Sequence, residues 1–419
     1  VIIPDAGVKA AGGGFTVGRL GTGKAAGDED YLKVTPDSTR IFVSESSNNG
    51  FSVGKIGGTS SPNFLNLTPD NYFIGHRAGE SITTGLYNTF IGFEAGLNTT
   101  SANRNVFLGF NAGRTNTLGA LNIFIGNEAG LNFSGESQDL DAEENIYIGN
   151  SAGYNCTSTA NSIFIGTRSG YNCGESYSNT FIGDRTGSLG AAGNENTLIG
   201  SAAGMNIGGS SNVFIGAGAG VANTSGSNNV FIGTGAGGQE EGSDRLYIAN
   251  SNTADPLIFG NFAEGLVQVS GNLYASGEVA SNSDIRLKEN IIPLVSGLDI
   301  VMALKGYYYN WNEDAKKQKK LSDRTQLGFI AQEVEKVVPE IVTTAPNGYK
   351  AINYTKLTPI LVEAIKDQQA QIETLEAENR NLKEQVSKIV DMQNEIECLK
   401  KMTEKLYELL EKYEKPEKD

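Results

Sequence analysis

Two residues whose side chains can together carry out nucleophilic chemistry lie close in sequence: Ser283 and Lys288. A serine hydroxyl is a weak nucleophile at its ordinary pKa. A lysine amine can act as its base only where desolvation or a neighbouring cation lowers the pKa of the amine. Arg286 is a candidate for that cation. Taken alone, a serine and a lysine at this spacing are most often surface residues. Whether they form a reactive pair therefore depends on the elements that surround them.

The elements before this segment are dominated by a repeat. Ten copies of a unit close to N-x-F-I-G-x-x-A-G recur with a period of about 17 residues, which is typical of a solenoid. One step is longer and one is shorter by a single residue. The longer step contains the acidic stretch SGESQDLDAEE, which we expect to form a surface loop. The first glycines of the units are Gly75, Gly92, Gly109, Gly126, Gly149, Gly166, Gly183, Gly200, Gly216 and Gly233.

Each unit contains a short strand that is apolar on both faces. Val213 and Ile215 point to one face and Phe214 to the other, because successive side chains alternate along a strand. One face can fill the solenoid interior, whereas the other needs a partner, which we take to be neighbouring chains of one fibre. A second glycine four positions after the first, such as Gly113, suits a tight turn or a close backbone approach.

Two cysteines, Cys156 and Cys173, lie in Tyr-Asn-Cys triplets that are one repeat period apart. Stacked coils would place them one rung apart, about 4.8 Å, which is within the Cα separation that a disulfide tolerates. Two free, stacked thiols are the alternative, and the sequence does not choose between them. The only histidine, His76, has no second histidine nearby, so we expect a surface residue. We predict neither a metal site nor a cofactor.

The composition excludes several classes of partner. The net charge is −15, and no lysine occurs between residues 71 and 249, so no basic stripe is available for phosphates or anionic lipid. We therefore expect no nucleic-acid binding and no membrane insertion. The glycine content, 53 residues, argues against several conventional cores and favours a chain spread along a repeat.

The segments flanking the array also show strand patterns. Residues 14–18 (GFTVG) return as residues 50–54 (GFSVG), and residues 31–37 (YLKVTPD) return as residues 64–70 (FLNLTPD). These repeats predict alternating strands and Pro-Asp turns. Because the sequence begins in the middle of this pattern, we expect Val1 to be a cut within a longer protein. After the array, short apolar strands predict a β neck that ends near Ala280.

The array resembles the stacked β-roll heads of trimeric surface adhesins, whose repeats also run as short apolar strands ending in Ile-Gly. This resemblance implies a trimeric roll and leaves its handedness open. From Ser283 onward the glycine content falls and the lysine and glutamate content rises, so a new domain is expected to begin there.

Residues 281 to about 372 closely resemble the intramolecular chaperone domain of phage tail spikes and endosialidase-type fibres. Three ordered blocks carry the resemblance: SNSDIRLKENIIPLVSGLDIVMALKGYYYNW, QLGFIAQEVEKVVPEIV and YKAINYTKLTPILVEAIKDQQAQI. It implies a domain that trimerises the fibre, templates its folding and then cuts itself off. In that family a Ser-Asp-x-x-x-Lys sequence supplies a Ser–Lys dyad. The resemblance thus assigns Ser283 as nucleophile, Lys288 as general base and Asp284 as a supporting residue, with the cut between Asn282 and Ser283.

The C-terminal residues predict a long helix with apolar heptad positions, and hence a coiled coil. Three consecutive three-residue steps from residue 393 to residue 402 predict a stammer, which overwinds the coil locally. The seam positions are Ile365, Gln368, Ile372, Leu375, Asn379, Leu382, Val386, Ile389, Gln393, Ile396, Leu399, Met402, Leu406, Leu409 and Tyr413.

The predicted fold is mainly β: a trimeric β-solenoid (β-roll) fibre shaft, then a small α+β chaperone domain and a C-terminal coiled coil. The expected divisions are N-terminal β repeats at 1–70, the solenoid at 71–249, the neck at 250–282, the chaperone and self-processing domain at 283–355 and the coiled coil at 356–419.

The function predicted from these features is a homotrimeric, extracellular adhesive fibre, from a phage tail, an injection device or a bacterial surface. Its variable loops would bind a host receptor or glycan, and an upstream fibre or particle component would precede it. The alternative is a glycan-degrading tail spike, which needs paired carboxylates about 5 to 9.5 Å apart. The acids Glu94, Glu128 and Asp184 follow the unit glycines singly, without accompanying Arg or Tyr clusters, which disfavours the alternative.

Overall fold

The computed structural model describes residues 15–18, 30–35, 38–41, 51–54, 63–135, 142–191, 193–319, 322–345 and 348–413. The chain divides into two compact units, Val1–Tyr274 and Ala275–Asp419. Much of the predicted acidic loop, residues 136–141, and the first Pro-Asp turn, residues 36–37, lie outside the described residues.

The two N-terminal copies form the same antiparallel hairpin. Strands β1 (Phe15–Gly18) and β2 (Asp30–Thr35) pair with a register irregularity at the end of β1. Strands β4 (Phe51–Gly54) and β5 (Asn63–Leu67) pair with the same irregularity at the end of β4. Strand β3 (Ser38–Ile41) extends the first hairpin, and β5 pairs antiparallel with the first strand of the array.

The predicted β-solenoid of ten coils is confirmed, with one three-residue strand in each coil. These strands pair in parallel and in register, so equivalent residues of successive units lie directly above one another. They are β6 (Tyr72–Ile74), β7 (Thr89–Ile91), β8 (Val106–Leu108), β9 (Ile123–Ile125), β10 (Ile146–Ile148), β12 (Ile163–Ile165), β14 (Thr180–Ile182), β15 (Thr197–Ile199), β16 (Val213–Ile215) and β17 (Val230–Ile232). A separate parallel pair, β11 (Ser158–Ala160) and β13 (Glu175–Tyr177), lies on two adjacent coils.

An aromatic column fills the interior of the solenoid. The middle residue of every array strand is buried, and the neighbouring rings stack with centroids 4.5 to 5.0 Å apart except where Leu198 intervenes. The second glycine of each unit makes room for the ring. At Gly113, where φ is +57°, an added Cβ would lie 2.6 Å from the ring of Phe107. The residues flanking each buried ring face outward, and Ile74, Ile91, Ile182, Ile199, Ile215 and Ile232 are exposed.

A buried ladder of asparagine amides runs beside the aromatic column. The Asn88 side chain donates to the carbonyl of Ala102 at 2.9 Å, and its Oδ1 accepts from the backbone N–H of Asn105 at 3.0 Å. The amide therefore satisfies polar backbone groups where its own coil meets the next one, which water cannot reach. Ser162 takes the equivalent place on one coil. The asparagines are Asn71, Asn88, Asn105, Asn122, Asn145, Asn179, Asn196, Asn212 and Asn229.

Antiparallel strands terminate the parallel array at both ends. Strand β18 (Arg245–Ile248) pairs in parallel with β17, and β19 (Ile258–Asn261) and β20 (Leu266–Val269) follow antiparallel. At the other end β5 pairs antiparallel with β6, and β4 pairs antiparallel with β5. The predicted neck strands are thus present, but the sheet ends at Val269 and residues 270–282 form no strand.

The second unit is a small α+β domain followed by one long helix. Its core contains Val334, Val338, Ile341, Leu357 and Ile360, so the first turns of the long helix pack into the domain. Gly297 fits against that helix, with its Cβ position 2.5 Å from the backbone nitrogen of Ala364. The elements are α1 (Gly297–Ala303), β21 (Tyr307–Tyr309), α2 (Glu313–Lys319), β22 (Gln326–Gly328), α3 (Ala331–Val334), β23 (Val342–Thr344), β24 (Lys350–Ile352) and α4 (Leu357–Tyr413).

The predicted C-terminal helix is confirmed as α4, which is 57 residues long. The apolar side chains at its heptad positions beyond the domain are exposed. Their exposed fractions lie between 44% at Ile372 and 65% at Ile365, apart from Tyr413 near the end of the helix at 93%. None of the described helices combines the length and apolar character needed to cross a membrane. Pairing of α4 with further chains stays a prediction.

Candidate active site

A single 3-10 turn brings the predicted nucleophile and base together. The turn spans Ile285–Leu287, Asp284 caps its start and Lys288 follows it in an extended conformation. Two backbone hydrogen bonds close the turn, from the N–H of Leu287 to the carbonyl of Asp284 and from the N–H of Lys288 to the carbonyl of Ile285, both at 3.1 Å. Because the turn reverses the chain, residues five apart face each other.

The Nζ of Lys288 donates a hydrogen bond to the Oγ of Ser283 at 2.8 Å. This distance is within the reach that proton transfer between a nucleophile and its base requires. The lysine is the donor in this contact. Asn282, on the other side of the expected scissile bond, is exposed. The structure therefore places Asn282, Ser283, Asp284 and Lys288 in one short exposed segment.

Arg286 does not take the position expected of a cation that acts on the lysine. Its guanidinium forks onto Asp284, with Nη2 2.7 Å from Oδ2 and Nε 3.0 Å from Oδ1. The Asp284 Oδ1 also accepts from the backbone N–H of Arg286 at 2.9 Å. The Arg286 side chain, and then its backbone N–H, lower the pKa of Asp284, so this carboxylate stays ionised at neutral pH. The carboxylate of Asp284, two residues earlier, thus balances the positive charge of Arg286.

The segment that carries the dyad is open to water on this chain. The side chains of Ile285 and Leu287, on the turn itself, are 70% and 71% exposed. Residues 281–290 are all exposed. Desolvation of the lysine, which the predicted chemistry needs, is therefore not provided by this chain's own described residues around the turn.

The two cysteines of the array lie on successive coils, as their spacing predicts. Their Cα atoms are 5.1 Å apart and their sulfur atoms are in contact beneath the surface. The separation is typical of disulfides. Whether the pair is oxidised in the fibre stays a prediction.

One of the acids considered for glycan cleavage, Glu94, is already paired with basic side chains. Glu94 is bound by arginines of two other coils, Arg77 at 2.9 Å and Arg114 at 2.7 Å, and its side chain is only 12% exposed. The expectation that Glu94 has no accompanying arginine is therefore wrong, because the stacking of successive repeats brings residues that are distant in sequence alongside it. His76 stacks on Phe93 with ring centroids 5.2 Å apart. Within the described ranges, no cluster of His, Cys, Asp and Glu could hold a metal ion.

The sequence alone indicates no role for the asparagine that opens nine of the ten units. Its regular place before an apolar strand was the available signal. The pairing of Asp284 with Arg286 is indicated in the sequence only by two opposite charges that are two residues apart.

Comparison with known proteins agrees with the position of the turn. The model of the family described as chaperone of endosialidase matches residues 283–343, so the match begins at Ser283 and includes Lys288. The long tail fiber protein Gp37 of Enterobacteria phage K3 is 33% identical over 129 residues, which are 29% of this chain and 10% of that protein.

Two further relatives have the same name. Long tail fiber protein Gp37 of Enterobacteria phage T2 is 32% identical over 129 residues, 29% of this chain and 9% of that protein. Gp37 of Salmonella phage S16 is 30% identical over 126 residues, 28% of this chain and 16% of that protein. The matches thus cover less than a fifth of the length of these relatives. Residues 283–343 of this chain are a chaperone-of-endosialidase domain, in a protein homologous to phage long tail fibre proteins.

Proposed function

We propose that this chain is the shaft and chaperone of a trimeric phage tail fibre, and that its C-terminal part cuts itself off between Asn282 and Ser283. The observation that carries the proposal is the 2.8 Å hydrogen bond between Lys288 and Ser283, at the first residue of the chaperone-of-endosialidase match. Homology to long tail fibre proteins supports the fibre and its extracellular location on a virion. A host-surface receptor or glycan and an upstream fibre component are the proposed partners.

The proposed cut proceeds through an ester. Lys288, once unprotonated, takes the hydroxyl proton of Ser283 while Oγ bonds to the carbonyl carbon of Asn282. The tetrahedral oxyanion collapses, the peptide C–N bond breaks and the proton passes to the new amine of Ser283. Water then hydrolyses the ester between Asn282 and Ser283 and releases residues 283–419. Each chain reacts once, with no external substrate.

Assembly provides the desolvation that the exposed segment lacks. A lysine serves as a base at neutral pH only when burial or a nearby cation lowers its pKa, and here the nearest arginine is already balanced by Asp284. The exposed side chains of Ile285 and Leu287 beside the dyad offer an apolar surface that a neighbouring chain can cover. Cleavage is therefore expected only after the chains associate.

Two separate surfaces support a multi-chain fibre. The outward column of isoleucines runs along the array strands, and the apolar seam of α4 continues for more than six heptads. Both surfaces repeat at a fixed period along their elements, as a partner with the same period requires. An assembled trimer would cover them.

The test of self-cleavage is denatured mass. Wild-type protein is expected to yield fragments 1–282 and 283–419, whereas Ser283→Ala and Lys288→Ala variants stay intact. Ser281→Ala, two residues away in the same exposed segment, is the matched control and should cleave normally. Hydroxylamine should accelerate the wild-type cut, because it attacks esters faster than amides. If the wild type and both dyad variants have the same mass, the peptidase proposal fails.

The test of assembly uses the uncleavable Ser283→Ala background, so that α4 stays attached. Sedimentation should report three chains. Adding Leu382→Glu, which places a charge in the seam, should reduce the chain number, while Lys383→Glu one position off the seam should not. Three chains in both variants would show that the seam does not hold the trimer.

A further inference from the structure

The turn that carries the dyad has almost nothing to hold it in place. Residues 283–288 are exposed and none of them belongs to the core of the domain. A single 3-10 turn in water is marginal, because its few hydrogen bonds must offset the conformational entropy of fixing several residues. Yet the contact of Lys288 with Ser283 depends on this turn, since the chain reverses there.

A side-chain clamp compensates for the missing packing. Asp284 caps the turn by accepting the N–H of Arg286, and the Arg286 guanidinium binds the same carboxylate through Nε and Nη2. The fork of a guanidinium matches the two oxygens of a carboxylate, which gives a directional and charge-assisted contact. The clamp closes across the first half of the turn and fixes the rotamer of the capping side chain.

We infer that Arg286 is a positioning residue for the cut at Asn282–Ser283, acting through Asp284 to hold the turn that sets Lys288 against Ser283. This inference rests on the proposed self-cleavage. The structure favours positioning over an electrostatic effect on the lysine, because the carboxylate of Asp284 balances the guanidinium charge at 2.7 Å. A balanced pair exerts little net field on a neighbouring amine.

The two roles predict different pH profiles. A positioning residue changes the fraction of chains with the dyad in contact, so its loss lowers the cleavage rate at every pH. A cation that lowers the pKa of the base shifts the pH at which the rate is half maximal. The experiment therefore measures the rate of appearance of fragment 283–419 between about pH 6 and pH 10.

Arg286→Ala is expected to slow the cut by about 2- to 5-fold, the scale that an exposed ion pair supports, with the half-maximal pH unchanged. Arg286→Lys keeps the charge but not the fork, so it should recover only part of the rate. Arg324→Ala removes an exposed arginine of the same unit and should leave the rate unchanged. An unchanged rate in Arg286→Ala, or a raised half-maximal pH, would overturn the positioning role.

Non-additivity separates the clamp from general damage. Asp284→Ala should slow the cut at least as much as Arg286→Ala, because it removes the backbone cap as well as the guanidinium contact, and the double variant should be no slower than Asp284→Ala alone. If the rate reduction in the double variant equals the product of the two single reductions, the clamp is refuted. Sedimentation and helical content of each variant check that the trimer and α4 still form. If the wild type is never cut, the proposed self-cleavage itself fails and the positioning role fails with it.

Discussion

The buried amide of Asn88 is expected to hold two coils of the solenoid together. The change Asn88→Leu keeps the approximate shape of the side chain but removes its polar atoms. The carbonyl of Ala102 then loses its donor and the backbone N–H of Asn105 loses its acceptor, both inside the solenoid. Each orphaned group costs about 1–3 kcal/mol, hence about 2–6 kcal/mol together.

Leucine burial offsets part of this loss. A fully buried leucine contributes about 1.5–3 kcal/mol relative to an exposed one, so at the midpoints of the two ranges the net loss of stability is about 2 kcal/mol per chain. In a solenoid, stability is a sum over coils and their neighbours, so the weakening should be local. We expect a lower unfolding midpoint together with faster amide exchange at the strands of residues 72–74, 89–91 and 106–108.

The matched control is Asn98→Leu, which introduces the same residue at an exposed asparagine of the same coil. It should leave both the midpoint and the exchange rates unchanged. Equal behaviour of Asn88→Leu and Asn98→Leu in both measurements would refute the assignment of the ladder as a stabilising element. A uniform rise in exchange along all ten coils would instead refute its local character.

Three further experiments test other contacts. Gly113→Ala should lower the unfolding midpoint more than Gly218→Ala, because both force a side chain into a positive φ but only the first meets a buried ring. A hydrogen bond from the arginine of the next coil lowers the pKa of Glu94, so wild-type stability should decline as the pH falls through that lowered value, and Glu94→Gln should reduce this decline. If Cys156 and Cys173 are bonded, reductant should add two daltons and remove about 3 kcal/mol of stability; an unchanged mass would contradict the bond.

The coil number and the strand positions could be predicted because every coil repeats the same apolar and glycine positions. The role of the asparagines could not. A polar residue before a strand has the same appearance in sequence whether it lies in an exposed turn or, as Asn88 does, inside a closed coil. Only the three-dimensional closure of the coil shows that its amide is enclosed.

The surface contacts of the array could not be predicted from the sequence either. Arg77 precedes Glu94 by one repeat period, whereas Arg114 follows it by slightly more than one period, so only one of the two partners obeys the repeat. The direction in which a long side chain reaches along the fibre depends on corner geometry that the period does not determine.

For the dyad, the spacing and the family resemblance predicted which residues meet. They did not predict the clamp, because a contact between residues two apart requires the chain to turn between them. Arg286, a candidate for the cation beside Lys288, is instead bound to Asp284 in the turn.

The antiparallel strands at the two ends of the array have a consequence for its length. Each coil of a parallel array presents the same hydrogen-bonding edge as the one before, so an open end would accept another coil from any chain. The hairpins of β4 with β5 and of β19 with β20 replace that edge with antiparallel pairs of short strands, and β4 ends in a register irregularity. The number of repeat units in the sequence therefore determines the length of the array, at about 4.8 Å for each unit.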